Sequence, residues 1–451
     1  VDAAIVDGEN FKVNGGQGSD GQVLTSTGSG VAWEDAAGGG PTSKTFGTGS
    51  IMIGDDATGT IDAANHNTGL GVDIFAALTT GDRNTAVGFN AMNDVTSGPD
   101  NTCVGFDAGA KITTGYNNTF LGVDAGETVT TADENVGVGY AALQVSTASF
   151  NVAVGGDAMK TATSGANNTA LGYAAMGHQA VTGANNIAVG RQAMKSITSG
   201  HSNVAVGVNA GENVSTASYN VAIGQFASDT TTTGVTNTVV GSYSLDNGAA
   251  NTGGANTVIG HGAARVITSG TNNTTLGYDA GVAITTGTYN ICIGGVGAGN
   301  TITTGSGNIA IGSSALTTLT ASTYPNIAIG ENALYSMATG YQNIAIGYRS
   351  GESATGVGLT LLGDSAGMQI TSGNANTFIG HAAGYGTTTG ASNTAVGTSA
   401  GVAITTGSHN TCLGIVGGSA ITTGGKNMCL GYDAGTSGSP NHITTGSNGI
   451  V

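Results

Sequence analysis

The amino-acid sequence predicts an all-β fold, a β-solenoid of about 23 short coils with a 17-residue period. Three observations carry this. A five-residue motif recurs along most of the chain: Asn, then Thr, Val or Ile, then a small residue, then Val, Ile or Leu, then Gly. Its closing glycines run from Gly54 through Gly105 and Gly207 to Gly431, mostly 17 residues apart and always 16 to 19. The composition is also unlike that of an ordinary domain: 81 of 451 residues are glycine and only 8% are charged, against about a quarter charged in typical globular proteins. A fixed period of this length is the signature of stacked repeats, each too small to bury a core alone.

Residues 1–48 lack the repeat and read as an N-terminal cap or attachment segment. The stretch from Gly21 to Trp33 resembles a short cap module, Trp33 is the only tryptophan, and Gly38-Gly39-Gly40-Pro41 reads as a flexible joint. Residues 49–451 form the solenoid shaft. Within each motif the second and fourth positions lie two apart, so on a strand they share a face. That face is assigned to the inside of the coil. A second segment brings Ala three residues after the glycine (Ala91, Ala108, Ala125) and ends in an I-T-T-G turn such as Ile112 to Gly115. Each coil is therefore expected to hold two or three short strands joined by glycine turns. Asn opens nearly every motif, and Asn84, Asn101, Asn118 and Asn135 begin the best run. Stacked in register, they would form a side-chain amide ladder. The last motif, from Asn448, stops before its glycine, and the shaft is expected to continue.

The middle position of the motif then points away from the coil, yet it is apolar. Ala86, Cys103, Phe120, Ala153, Cys292, Phe378, Cys412 and Cys429 stand there. Such a stripe along a rod would aggregate in water. Its simplest burial is against identical chains around an axis, which makes these eight residues the candidate subunit interface.

Several functions are disfavoured by composition. Ten basic against 27 acidic residues give a net charge of −17, which repels nucleic-acid phosphates and anionic lipid. No apolar run approaches the ~18 residues of a transmembrane helix. The four cysteines form neither a CxxC pair nor a disulfide framework, and the seven histidines show no metal-ligand spacing. No cofactor, metal or catalytic residue is predicted. Glycoside cleavage would need two carboxylates across a groove, and the nearly uniform coils offer no insertion to build one.

The N-T-A-V-G-x-x-A-x-x-x-T-T-G run resembles repeats of phage tail-fibre proteins, and is similar to the shorter repeats in the heads of trimeric autotransporter adhesins. The resemblance covers roughly residues 49–451. It implies a homotrimeric β-solenoid, left-handed as in the adhesin heads, with chains intertwined or side by side. It further implies a structural shaft or spike, on a virion or otherwise extracellular, that supports attachment to a host surface. A cell-surface adhesin or self-assembling extracellular filament is the alternative. Exposed tyrosines could stack on host glycans; Tyr116, Tyr219, Tyr289 and Tyr341, near the motif asparagines, are the candidates. Aspartates two residues after the motif glycine (Asp107, Asp124, Asp157, Asp279, Asp433) read as a solvated edge rather than a cation site.

Overall fold

A computed structural model describes residues 48–54, 63–246, 249–322, 324–437 and 445–450, together with the backbone of short strands before residue 48. Those early strands pair antiparallel: Ile5–Asp7 with Asn10–Val13, and Gln22–Ser26 with Val31–Asp35. Trp33 is the Cα partner of Leu24 in the second hairpin; the capping role read for its side chain lies outside the described residues. Thr42–Lys44 runs antiparallel to Ile51–Gly54, so the first edge of the solenoid ladder is paired.

From Ile51–Gly54 to Met428–Leu430, 23 strands pair in chain order, each parallel to the next. Identical motif positions face one another: Thr102, Cys103 and Val104 pair with Thr119, Phe120 and Leu121. The fold is thus a parallel β-solenoid, and consecutive coils of one chain stack directly. Coil length varies without loss of register. Val136 opposes Val152 across 16 residues, Thr169 opposes Ile187 across 18, and Thr238 opposes Thr257 across 19.

Only one strand of three or four residues is formed per coil, not two or three; the rest is turn. The turns still bond to the next coil. Gly109 N–H donates to Ala125 O at 2.9 Å, Lys111 N–H to Glu127 O at 3.0 Å, and Thr113 N–H to Thr130 O at 2.8 Å. Backbone groups that a loop would leave to water are therefore satisfied between coils. Each coil bends sharply because several residues adopt positive φ, such as Asp107 at 53°, Gly109 at 59° and Asn117 at 56°. Asp and Asn tolerate this region better than most residues. The aspartates two residues after the motif glycine occupy such a corner: Asp107, Asp124, Asp157, Asp279 and Asp433 all have positive φ.

The closing glycine is required twice over. Gly207 has φ +139°, and a Cβ on it would lie 2.5 Å from the carbonyl oxygen of Gly224 in the next coil. Two backbones approach there with no room for a side chain.

The faces of the strand are the reverse of the sequence expectation. The middle residue points into the coil and its two neighbours point out, giving patterns such as intermediate, buried, exposed for Thr102–Val104. Ala86, Cys103, Phe120, Ala153, Cys292, Phe378, Cys412 and Cys429 are all fully buried within the single chain. They are core residues, not an outer stripe. The reason is that the strand turns only its middle residue inward, and the opposite wall of the coil supplies much of the interior volume, so a small residue suffices there while the flanking pair faces out.

The interior is filled by the middle strand residue, the alanine after the glycine, the Ile, Val or Leu of the I-T-T-G turn, and the residue following that alanine. In many coils the middle strand residue and that last residue trade volume. Ala86 is matched by Met92, Ala153 by Met159 and Ala328 by Leu334. Opposite Phe120, Phe378, Leu361 and the four cysteines, the partner is glycine. A Cβ on Gly126 would lie 2.5 Å from the Phe120 ring, and one on Gly109 would lie 2.5 Å from Cys103 Sγ. Phe120 also fills space left by Gly137 in the next coil, where a Cβ would lie 2.8 Å from its ring. This compensation keeps a narrow core at native density.

Candidate functional site

The motif asparagines are buried and stacked. Asn118 donates from Nδ2 to Asn101 Oδ1 at 3.1 Å, and its own Oδ1 accepts from Asn135 Nδ2 at 3.2 Å. The same oxygen accepts the backbone N–H of Asn135 at 3.0 Å, while Nδ2 also reaches the carbonyl of Ala132 at 2.9 Å within its own coil. Asn84 enters the run by donating its backbone N–H to Asn67 Oδ1 and accepting Asn101 N–H. Each amide therefore ties coil to coil and also clips its own turn shut. At Leu359 the amide is missing, and only the backbone N–H bonds to Asn343 Oδ1 at 2.9 Å.

The outer strand face is the most continuous surface feature. It carries Val, Ile, Leu and Thr from the second and fourth motif positions, with Leu70, Ile187, Ile223, Leu276, Ile344 and Leu362 among the exposed large apolar residues. Sequence reasoning found this residue column but placed it inside.

Tyr116, Tyr219 and Tyr289 are exposed, and Tyr341 is half-buried. The four stand in separated coils and do not converge. Tyr219 meets His201 edge-on at 4.9 Å, and Tyr341 lies tilted against Tyr324 at 5.5 Å. A second aromatic column, just after the closing glycine, was not singled out as a stack. Phe89 and Phe106 stack at 5.3 Å with 15° between planes, and Phe226, Tyr243, His261 and Tyr278 follow one another in ring contact. The signal was available in the sequence, as aromatic residues one coil apart.

Ion pairs also run from coil to coil. Arg83 holds Asp100 at 2.6 Å, lowering the carboxyl's affinity for protons, and Lys111 holds Asp94 at 2.9 Å. A further column places Lys195, Glu212, Asp229 and Asp246 in successive coils, with Lys195 3.2 Å from Glu212. Burial pushes the Asp229 carboxyl up to about 7, and Glu212 and Asp246 on either side add to the shift.

The four cysteines are free thiols. Burial raises those of Cys103 and Cys292, the latter to about 12. Cys412 and Cys429 are paired residues of adjacent strands, and the Cys412 thiol is pushed up by its sulfur neighbour and by burial. Among the described residues no group of three or more His, Cys, Asp or Glu side chains is placed to hold a metal ion, and no helix is long and apolar enough to cross a membrane. No protein-family model matches this sequence, and a comparison with curated proteins finds no match.

Proposed function

We propose that the chain is the shaft of a homotrimeric fibre of the phage tail-fibre type, with left-handed coils, working outside the cell or on a virion to hold an attachment end at a distance. The observation that carries this reading is the outer strand face. Its fourth-position column is Val, Ile or Leu in all 23 strands, and its second-position column is Thr, Val or Ile in every strand but the last, where Met428 stands. At ~4.8 Å per coil the rod is on the order of 110 Å long, and with ~7 Å between the two columns the stripe covers on the order of 750 Å². That is far above a scattered surface residue and close to the roughly 800 Å² each partner contributes to a stable interface. β-Branched side chains two apart on a flat strand suit close packing of chain on chain. The interface therefore belongs to residues such as Ile309, Ile311, Ile327 and Ile329, which flank the buried alanines, and no longer to the middle positions. Resemblance to fibre and adhesin repeats supplies the number three.

The mechanism is mechanical. Backbone hydrogen bonds, asparagine ladder and core all repeat coil by coil, so the column resists bending along its whole length. Light scattering after gel filtration tests the assembly: the expected mass is three times the 43.6 kDa of one chain, and electron micrographs should show straight rods. A monodisperse monomer refutes the proposal. Long end-to-end filaments would instead favour the extracellular-filament reading.

A further inference from the structure

One concavity in the surface combines polar and aromatic side chains. The residue after the closing glycine is Phe106, Val123, Tyr140 and Tyr173 in neighbouring coils, but Gly156 between the last two. In the acidic and basic column further on, Gly177 replaces a side chain between Lys160 and Lys195. The coil that begins at Asn168 also carries one extra residue, which places His178 beside the gap. The result is a cavity of about 310 Å³ lined by Asp157, Lys160, Tyr173, His178 and Gln192. Tyr173 is 56% exposed, and its ring leans over Gly156, where a Cβ would lie 3.6 Å from it.

Charge singles out the same place. The chain carries only ten Lys and Arg at a net charge of −17, and Lys160 and Arg191 fall within these coils, with Lys195 nearby but held by Glu212 at 3.2 Å. Lys160 is held by Asp157 at 3.1 Å. Arg191 precedes Gln192, stands one coil beyond Tyr173 in the same column, donates to Gln192 Oε1 at 3.2 Å, and makes no ion pair among the described residues. A guanidinium of this kind is suited to binding a planar carboxylate.

We propose that this cavity binds a carboxylated saccharide, a uronic acid or similar acidic sugar unit. Tyr173 packs against the C–H face of the ring. His178 and Lys160, which line the cavity, take the carboxylate together with Arg191, which stands outside the lining and reaches it beside Gln192, and Asp157 and Gln192 take hydroxyls. The volume suits one or two sugar units. The inference rests on the reading of the shaft as part of an attachment fibre, but its test uses binding alone and leaves the assembly state to light scattering.

The probes are glucuronate, neutral glucose and inorganic phosphate, titrated into the full chain and followed by saturation-transfer NMR. Glucuronate should bind saturably in the millimolar range. Glucose and phosphate should each bind roughly tenfold more weakly or worse, because each supplies only half of the recognition. Tyr173→Ala and Arg191→Gln should each weaken glucuronate binding roughly tenfold, and Gly156→Phe, which restores the missing column side chain, should abolish it. Tyr432→Ala, a distant exposed tyrosine, should change nothing. Unchanged circular dichroism verifies folding in each variant, since Tyr173 and Arg191 are surface residues outside the core. Absence of saturable glucuronate binding, equal binding of glucose or phosphate, or unaltered binding by both the Tyr173 and Arg191 variants would overturn the assignment.

Discussion

Trading volume inside one coil should be reversible by design. Phe120 is fully buried, and Gly126 in the same coil leaves space for its ring. Phe120→Ala removes six ring carbons from a closed interior and should cost about 3–5 kcal/mol. Gly126→Met alone forces atoms into the ring, since even its Cβ would lie 2.5 Å from the Phe120 ring; overpacking of this kind costs about 1–3 kcal/mol or more. The double variant recreates the pairing of Ala86 with Met92 and of Ala153 with Met159. Methionine is tolerated in that backbone conformation, since Met92 and Met159 sit at φ 50° and 47° against 61° for Gly126. Four atoms then replace six, so the double variant should lie within about 2 kcal/mol of the wild type, a coupling of at least about 2 kcal/mol in a double-mutant cycle. Chemical denaturation of the four proteins measures this, with hydrogen exchange localising the loss to neighbouring coils, because repeat proteins need not unfold as one unit. Simple additivity of the two single changes would refute the compensation argument.

Other expectations follow from the same geometry. Asn118→Ala deletes the partner of the Asn135 amide and several further bonds, so it should cost about 3–5 kcal/mol; exchange of the Asn135 N–H should accelerate by about two orders of magnitude or more, and an unchanged rate would count against the ladder. Gly207→Ala should destabilise by at least about 2 kcal/mol, read as a lowered denaturation midpoint, because the added carbon meets the Gly224 carbonyl. Replacing Ile327 and Ile329 together by Glu should reduce the particle mass to that of one chain while circular dichroism stays unchanged; a trimer that survives would remove the strand face from the interface. For Asp229, whose carboxyl titrates at about 7 in the folded chain, the raised value means the folded state favours the protonated acid. Stability from this group is present below the ordinary carboxylate range and is lost as pH rises through about 7. Asp229→Asn should therefore raise stability at pH 8 by about 1–2 kcal/mol after allowing for solvent screening, read as a higher melting temperature, and leave it near wild type at pH 4. An equal difference at both pH values would contradict it. Native protein should resist thiol reagents at Cys103 and Cys292, with Cys429, in the last complete coil, labelled first; rapid labelling of Cys103 would show that its coil opens.

Period and stacking were legible because they rest on repetition, and glycine spacing alone sets the register. The asparagine column was legible for the same reason: a polar residue at one fixed phase must meet its copies. Orientation was not. Placing Ile309 and Ile311 inside and Ala310 outside follows the usual association of bulk with burial, which fails here because the far wall of the coil, such as Leu316 opposite Ala310, supplies the bulk. The informative signal was the reciprocal sizing of Phe120 with Gly126 and Ala86 with Met92, since only residues sharing a cavity need such an exchange. The number of strands was overcounted because an I-T-T-G stretch is β-like in composition, whereas the positive φ angles of Asp107 and Asn117 bend the coil too tightly for a second strand. The cavity at Tyr173 was hidden because it arises from absent side chains, at Gly156 and Gly177, in a sequence where glycine is common.

The tolerance of register to coils of 16, 18 and 19 residues has a consequence for how such a molecule changes over generations. Slack is absorbed sideways in the turns, so axial advance is counted in whole steps and never in fractions. Gain or loss of a complete repeat, for example residues 273–289, would rejoin two surfaces of the same kind and alter reach by one increment of ~4.8 Å. Gene-level duplication or slippage in the repeats thereby acts as a vernier on length, while each step keeps its own wall chemistry free to diverge.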